Sequence, residues 1–170
     1  MRWGREALAE RAKGRVVLEV GSQEVNGSFR EFVEPEAAVY IGTDISHGRG
    51  VDILCPAEKV ARKFGRGAFD LVICTELLEH VEDWRAVIRN LKAVTAPGGY
   101  IALTTRMPGF PFHGYPDDFW RFTATDLAAI FRDSLILSLV EHPADRGVYL
   151  LAQRGLRTKE PPVMDLARAR

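Results

Sequence analysis

Short apolar runs alternate with amphipathic stretches along most of the chain. This alternation is typical of β–α units, in which a helix follows each strand and covers the sheet. The apolar runs predict five strands, at residues 16–20, 38–44, 51–54, 69–75 and 100–105. Because the links between these units are short, we expect a parallel sheet with right-handed crossovers.

Helices are predicted where apolar residues recur three and four positions apart. These segments lie at residues 3–13, 29–34, 57–64, 84–94 and 123–131. Asp83 is placed to cap the fourth helix, and Thr123 with Asp126 forms the pattern of a capping box for the fifth. Residues 135–141 and 148–153 predict two final strands joined by a turn.

The segment 106–122 fits neither a helical nor a strand period. It holds three prolines, two glycines and six of the chain's 16 aromatic residues. Disordered segments are poor in aromatic residues, so we expect an ordered loop. The loop leaves the C-terminal end of a strand, where such sheets bind ligands, and we interpret it as a lid and substrate wall. The alternative is a packed loop with only a structural role.

The composition is that of one globular domain. The chain has 170 residues, 46% of them hydrophobic and 27% charged. Its 23 basic residues balance 23 acidic ones, so no charge excess indicates a nucleic-acid partner. No apolar stretch has the roughly 20 residues of a membrane span, and the N-terminus lacks the pattern of a signal peptide. We therefore expect a cytoplasmic protein without membrane contact, with a domain at 1–155 and a loosely held tail at 156–170.

The turn after the first strand carries the first sign of a ligand site. Glu19 and Val20 end that strand, and Gly21 lets the backbone turn sharply and approach a ligand closely. Asp44 ends the second strand, 23 residues after Gly21. In nucleotide-binding sheets, an acidic residue at about this distance accepts hydrogen bonds from ribose hydroxyls. An ordinary strand-to-helix turn and a capping aspartate are the alternatives.

Several motifs together resemble class I S-adenosylmethionine (SAM)-dependent methyltransferases of the small-molecule, type 11-like group. They are Glu19-Val-Gly21, Asp44, the run from Phe69 to Val81 with Glu-Leu-Leu-Glu-His-Val, Pro97-Gly-Gly99 and the closing hairpin. This resemblance covers residues 16–154 and implies an enzyme that uses SAM and releases S-adenosylhomocysteine. It also implies a three-layer, Rossmann-like α/β sandwich whose seven-stranded sheet is mostly parallel, with the last strand antiparallel.

The resemblance also implies where the cofactor binds. The residues are Glu19, Gly21, Ser22, Gln23, Asp44, Ile45, Ala57, Glu58, Thr75 and Glu76. Gln23 and Val25 stand where the family usually has two further glycines. Pro56 occupies the place of an aspartate that contacts adenine in the family, so that contact would pass to the backbone near Ala57 or to Glu58.

The acceptor side is predicted in the aromatic segment. His113 is the candidate general base, because an unperturbed histidine titrates near ~6.5. Asp117 or Asp118 could orient its ring; alternatively, His113 only hydrogen-bonds loop backbone. The candidate substrate-binding residues are His80, Arg106, Tyr115, Asp118, Trp120 and Arg121. The segment 113–123 also resembles methyltransferases associated with polysaccharide or natural-product pathways.

Glu76, Glu79 and His80 are candidate metal ligands, because they could share a helix face at spacing i, i+3 and i+4. Such a cluster needs further ligands, and the sequence indicates none elsewhere. We therefore predict no metal and interpret His80 as a hydrogen-bonding residue near the pocket.

The leading hypothesis is a methyltransferase that acts on a small molecule, at a hydroxyl of a sugar or natural-product acceptor. One alternative is methylation of RNA or protein, against which the neutral charge balance argues. Another is a nicotinamide-dependent oxidoreductase, against which the missing second glycine at Gln23 argues. The third is a non-catalytic module that binds SAM or a partner. The short N-terminus leaves one side of the pocket with little cover, which a second copy of the chain in a homodimer could supply.

Overall fold

A computed structural model describes residues 2–25, 27–114 and 117–169. The helices are α1 (Arg2–Ala12), α2 (Arg30–Val33), α3 (Val60–Phe64), α4 (Trp84–Val94) and α5 (Ala124–Ile130). The strands are β1 (Val16–Val20), β2 (Val39–Asp44), β3 (Ile53–Leu54), β4 (Phe69–Thr75), β5 (Thr95–Arg106), β6 (Trp120–Arg121), β7 (Ser134–His142), β8 (Gly147–Arg154) and β9 (Ala167–Arg168). Short 3-10 turns lie at Glu34–Glu36, Ala57–Lys59 and Leu78–His80.

Seven strands form one sheet in the order β3-β2-β1-β4-β5-β8-β7. The first five of these are parallel, and β8 runs antiparallel between β5 and β7. The predicted fold class, including the antiparallel last strand within the sheet, is therefore confirmed. Parallel strands bring their carboxyl ends to one edge, and this edge carries the candidate site.

The two faces of the sheet pack against different helices. Val72 and Cys74 of β4 belong to the apolar core that includes α3, α4 and α5. Leu71 and Ile73 of the same strand belong to the core with α1 and the segment around α2. Successive side chains of a strand point to opposite faces, so the nearly uniform apolar sequence of β4 is what a central strand between two helical layers requires.

The predicted helix caps are confirmed. The Asp83 carboxylate accepts a hydrogen bond from the backbone N–H of Ala86, and the apolar stripe of α4 is buried. Thr123 and Asp126 form both hydrogen bonds of a capping box at α5. These caps satisfy helix N–H groups that have no partner within the helix.

The strand β5 is longer than predicted, because it begins at Thr95 directly after α4 ends. Pro97-Gly-Gly99 therefore lies within the strand, beside an irregularity in its pairing with β4 between Phe69 and Leu71. A Cβ on Gly99 would lie 2.8 Å from the carbonyl oxygen of Asp70, so a residue without a side chain is needed there.

The C-terminal segment differs from the predicted loosely held tail. β9 pairs antiparallel with β6 inside the aromatic segment, with Trp120 opposite Arg168. Leu166 is buried in the main core, and Pro161 is buried as well. The physical reason is this burial of apolar side chains, which the proline-rich sequence did not indicate.

None of the described helices has both the length and the apolar character that crossing a bilayer requires.

Candidate active site

A cavity of about 1070 Å³ opens at the carboxyl edge of the sheet. Its walls come from the ends of β1, β2, β4 and β5, the turn after β4, the aromatic segment and the β7–β8 turn. All ten predicted cofactor-binding residues line it, and so do His80, Arg106 and His113. The predicted cofactor and acceptor regions therefore share one space.

The turn at Gly21 depends on the absence of a side chain. Its φ is +78°, a conformation that favours glycine. A Cβ at this position would lie 2.5 Å from Cδ1 of Leu77, which also lines the cavity. The backbone N–H of Gly21 donates to the carbonyl of Thr43 at 2.8 Å and so ties the turn to the end of β2.

The Asp44 carboxylate is fixed by the backbone around it. Its Oδ1 accepts hydrogen bonds from the N–H groups of Ile45 at 2.7 Å and Ser46 at 3.3 Å. Its Oδ2 accepts one from the N–H of Gln23 at 3.2 Å. The carboxylate thus links the two turns that follow β1 and β2, and its remaining lone pairs are available to a pair of hydroxyls in the cavity.

Glu19 is 2% exposed and lies at the inner wall of the cavity. Its carboxyl accepts a hydrogen bond from the Tyr40 hydroxyl at 2.8 Å and one from the Ser28 hydroxyl at 3.4 Å. Burial raises the pKa of Glu19 to about 7, although the hydrogen bond from Tyr40 opposes that effect. This side chain therefore changes charge near neutral pH.

The place of the missing adenine-contacting aspartate is a turn. Pro56 has extended backbone and precedes the 3-10 turn Ala57–Lys59. Cys55, Ala57 and Glu58 line the cavity around it. On this wall, the backbone of Ala57 and the carboxylate of Glu58 are the polar groups placed to contact adenine.

Glu76 begins the acceptor side of the cavity. Its backbone is left-handed, with φ of +51°. Its Oε1 accepts a hydrogen bond from Thr104 Oγ1 at 2.7 Å, and its Oε2 forms an ion pair with Nε of Arg106. Residues 78–80 form a 3-10 turn, so the helix face proposed for Glu76, Glu79 and His80 does not form. The carboxylate of Glu76 is therefore bound by Thr104 and Arg106, both on β5.

His113 is held by a buried ion pair. Its Nδ1 lies 3.0 Å from Oδ2 of Asp118, and its backbone N–H donates to the same oxygen at 2.9 Å. The guanidinium of Arg121 contacts both carboxylate oxygens of Asp118, at 2.5 and 2.7 Å. Burial raises the pKa of Asp118, but the hydrogen bonds from Arg121 and His113 outweigh it and hold that pKa at about 2.

Burial lowers the pKa of the His113 imidazole below its ordinary value, against the opposing effect of Asp118, and so favours the neutral ring. Because the ionised carboxylate can only accept, Nδ1 carries the proton and Nε2 has a free lone pair.

Three of the predicted substrate-binding residues are placed differently from the expectation. Asp118 and Arg121 are 6% and 2% exposed, and neither is among the described residues that line the cavity. The indole N–H of Trp120 donates to the carbonyls of Val81 and Glu82, at 3.1 and 3.2 Å. The reason is that Asp118 and Arg121 bind within the loop, while Trp120 binds the backbone after the 3-10 turn, so these side chains position the wall. Tyr115 lies outside the described residues.

Glu79 is the buried acidic group on the acceptor side, with 0% exposure. Its Oε2 accepts a hydrogen bond from Thr105 Oγ1 at 2.7 Å. Its Oε1 has no hydrogen-bond partner among the described residues and lies 4.0 Å from Nε2 of His113. Burial, and next the nearby Glu76 carboxylate, raise the pKa of Glu79 to about 8.

His80 lies beside Glu79 and the ring of His113. Its Nδ1 lies 2.5 Å from the carbonyl oxygen of Asp117, and its ring centroid is 4.8 Å from that of His113. The expectation that His80 hydrogen-bonds near the pocket agrees with this contact. The expectation that the acidic cluster has no partner elsewhere is wrong, because the loop brings His113 to Glu79 and His80.

Sequence reasoning missed the contribution of the β7–β8 turn. Asp145 and Tyr149 line the cavity, and the tyrosine hydroxyl pairs with the aspartate. They reach it because β8 pairs with β5 in a register that sets Gly147 opposite Arg106. No short motif carries that register; the only sequence indication was the predicted hairpin itself.

Comparison with known proteins gives matches over most of the chain. Residues 1–134 match the family model described as a methyltransferase domain. A ubiquinone biosynthesis O-methyltransferase of Bordetella avium is 33% identical over 119 residues, which are 62% of this chain and 48% of the relative. The chain thus spans about half the length of that relative. A second such enzyme, from Idiomarina loihiensis, is 30% identical over 105 residues, 54% of this chain and 42% of the relative.

Solved structures show the same fold at low identity. One is a 1,6-didemethyltoxoflavin-N1-methyltransferase of Burkholderia thailandensis with 1,6-didemethyltoxoflavin and S-adenosylhomocysteine bound. Its TM-score is 0.73 at 15% identity, over 91% of this chain and 77% of that one. Another is a SAM-dependent methyltransferase of Mesorhizobium loti, with a TM-score of 0.64 at 17% identity, over 88% of this chain and 100% of that one.

Proposed function

Because the chain belongs to the methyltransferase-domain family, as the resemblance of its motifs predicted, we propose that it transfers the methyl group of SAM to a small-molecule acceptor. The observation that carries this proposal is the shared cavity. Predicted cofactor-binding residues such as Gly21 and Asp44 line one half of it, and a histidine oriented by Asp118 lines the other. This is the juxtaposition that a group transfer between two bound molecules needs.

The cofactor half fits SAM in size and in donor set. The cavity of about 1070 Å³ is large enough for a cofactor and a small acceptor together. Asp44 offers a fixed carboxylate for two hydroxyls, and Gly21 lets backbone approach the ligand closely. When bound, SAM supplies an electrophilic methyl group on a positively charged sulfur.

The charge of the lining supports a cationic cofactor and a non-anionic acceptor. Among the described lining residues, seven carboxylates face a single arginine, Arg106, which is paired with Glu76. Such a field attracts a sulfonium and repels a phosphate backbone. It therefore argues against RNA as the acceptor. Ubiquinone biosynthesis O-methyltransferases and the toxoflavin N-methyltransferase act, by their names, on small molecules, and this supports the same class of acceptor here.

We propose that the methylated atom is the oxygen of a hydroxyl. The Nε2 lone pair of His113 is suited to take a hydroxyl proton, since burial lowers the pKa of the imidazole from its ordinary value and Asp118 fixes the ring. The name O-methyltransferase of the sequence relatives supports this choice. A sugar or natural-product hydroxyl, a cytoplasmic location and a homodimer stay predictions.

The cofactor is tested by calorimetric titration with SAM and with S-adenosylhomocysteine, with NAD as the control ligand. We expect micromolar binding of both sulfur ligands and none of NAD. Asp44→Ala should weaken binding by more than about 100-fold, because two hydrogen bonds to a charged group are lost. The exposed Asp165→Ala serves as the matched control and should bind as the wild type does. Binding of NAD but not SAM would refute the proposal.

The acceptor is tested by methyl transfer from labelled SAM to a panel of phenols, catechols, sugars, amines, RNA and protein. Transfer to hydroxyl compounds supports the proposal. Transfer to RNA or protein alone would favour a macromolecular acceptor instead. SAM binding without transfer to any of them would favour a non-catalytic module.

A further inference from the structure

We propose that the outer edge of the sheet, the strand β7, binds a second copy of the chain and forms a symmetric homodimer with one continuous sheet. β7 is the last strand of the seven-stranded sheet, and no described strand pairs with its outer side. Such an edge presents backbone N–H and C=O groups to another extended chain. It is not the open side of the pocket, where the sequence suggested a second copy.

The amino-acid sequence of β7 is unusual for an exposed edge. The run from Ser134 to Val140 reads Ser-Leu-Ile-Leu-Ser-Leu-Val and contains no charged residue. Leu135 is 61% exposed, and Leu137 and Val140 are each 41% exposed. Native edge strands are usually protected by charges, by prolines or by a short length. A long apolar run without these features indicates an interaction surface.

The opposite edge of the sheet has the protection that β7 lacks. β3 consists only of Ile53 and Leu54. Asp52, directly before it, forms an ion pair of 3.0 Å with Arg30. A strand of two residues beside a charged pair offers little to a partner. The two edges of one sheet thus differ, and β7 is the one suited to accept another strand.

The irregularity at Leu137 makes β7 complementary to itself. The pairing of β7 with β8 shifts between Ile136 and Ser138, and it is regular on both sides of that shift. Ile136 and Leu139 both pack against the core that includes α5, although residues three apart in a regular strand face opposite sides. In an antiparallel pair of identical strands, the half before Leu137 therefore matches the faces of the half after it.

One register brings the apolar side chains of both faces together. It sets Leu135 of one copy opposite Val140 of the other, and Ile136 opposite Leu139. Because the two copies are identical and antiparallel, each of these pairs occurs twice. The exposed Leu135 and Val140 then cover each other, and cross-strand pairs of such side chains stabilise a sheet.

The charges that flank the apolar run favour the same register. Arg132 and Glu141 are exposed at its two ends. One oxygen of Glu141 accepts a hydrogen bond from the N–H of Ala124 at 3.1 Å, and the residue remains exposed. In this register Glu141 lies opposite Ser134 of the other copy, two residues from Arg132. Long side chains reach such diagonal neighbours, so opposite charges meet at both ends of the interface. This charge complementarity points to a second copy as the occupant.

The dimer is tested by analytical ultracentrifugation of the full chain between about 1 and 100 μM, a range suited to a weak interface. At the upper concentration we expect a mass of twice the chain's 19.0 kDa. At the lower one we expect dissociation, because a single pair of strands makes a small interface. A mass of one chain at every concentration would overturn the proposal and leave this edge to a strand of another protein.

The register is tested with two double variants that carry charges at the same positions. Leu135→Glu with Val140→Glu sets like charges opposite each other twice, and it should weaken dimerisation by at least about tenfold. Leu135→Lys with Val140→Glu sets opposite charges there, and it should dimerise within about threefold of the wild type. Equal weakening in the two double variants would overturn the register.

Both positions are partly exposed in the single chain, so these changes should leave the fold intact. Circular dichroism checks this for each variant. Val163→Glu, at a side chain that is 92% exposed and lies outside β7, is the control and should dimerise as the wild type does.

Discussion

The two halves of the cavity are built in different ways. The cofactor half is made of turns that directly follow β1 and β2, and backbone groups fix its key side chain, Asp44. The acceptor half is made of side chains from the 3-10 turn after β4, the aromatic loop and the β7–β8 turn. A buried ion pair between Asp118 and Arg121 fixes its key residue, His113.

This difference indicates which half of the cavity can accept changes in its side chains. A site fixed by backbone hydrogen bonds depends little on the side chains around it, and here Gln23 and Val25 stand where the family resemblance predicts glycines. A site fixed by buried side-chain pairs changes as a unit, because each partner left alone is costly. Each variant below should therefore affect one half and leave the other intact.

The largest effect is expected from Asp118→Asn. Breaking the buried pair leaves Arg121 uncompensated, so the free energy of unfolding should fall by about 3–5 kcal/mol, and the orientation of His113 should be lost. Denaturant unfolding measures the first effect and turnover the second. Asp117→Asn is the matched control for unfolding, because its side chain is exposed and its backbone carbonyl, which the change keeps, makes the contact with His80. A wild-type free energy of unfolding in Asp118→Asn would contradict the account of the acceptor half.

His113→Ala should lower turnover at saturating SAM by about 10²–10⁴-fold, the usual contribution of a group that activates an acceptor. SAM affinity should stay within about twofold of wild type, since Asp44 and Gly21 are untouched. Steady-state kinetics and calorimetry measure the two quantities. Equal turnover in the variant would remove His113 from the mechanism, and a loss of SAM affinity would show that the halves are coupled.

A smaller, pH-dependent effect is expected at Glu19, on the cofactor half. Its pKa is about 7 in the folded chain, against an ordinary value of 4.5 for a glutamate in water. Between these values the unfolded state loses its proton first, so stability falls as pH rises from about 4.5 to about 7. Compared with Glu19→Gln, the wild type should lose up to about 3 kcal/mol of unfolding free energy over this range. A constant difference between the two proteins would show that the burial of Glu19 has no such effect.

The smallest effect is expected from Arg168→Ala. The guanidinium of Arg168 lies 3.9 Å from the centroid of the Trp120 ring, a cation–π contact worth roughly 0.5–1 kcal/mol at an exposed site. We expect a loss of that size in unfolding free energy and no change in SAM affinity. The measurement is thermal unfolding of this variant, with Arg157→Ala, a change at an exposed arginine, as the control. If Arg168→Ala and the wild type unfold at the same midpoint temperature, this contact does not stabilise the pairing of β6 with β9.

The fold and the cofactor half could be predicted because their determinants are local. Gly21 follows a strand of five residues, and Asp44 ends the next strand. The nearly uniform apolar sequence of β4 indicates a central strand. Each of these features is visible within a few residues of sequence. The family resemblance then placed them in one sheet.

The acceptor half could be predicted only in part because its determinants are distant in sequence. His113 stands out by its place in an aromatic loop, but its meeting with Glu79 depends on how that loop folds back over the turn after β4. Asp118, Trp120 and Arg121 carry polar groups in the right segment, and yet these groups are satisfied by partners within the loop and by backbone carbonyls just after the 3-10 turn that follows β4. Composition could not distinguish a side chain that contacts an acceptor from one that holds the wall.

The pairing of β6 with β9 builds the acceptor wall from two segments that are distant in the sequence. Residues 119–121 and 167–169 contact each other across more than a quarter of the chain, with Ala169 donating a hydrogen bond to the carbonyl of Phe119. A chimera that receives only the loop from a relative would pair a foreign β6 with the native β9. Exchange of acceptor specificity by recombination should therefore succeed only when both stretches are transplanted together.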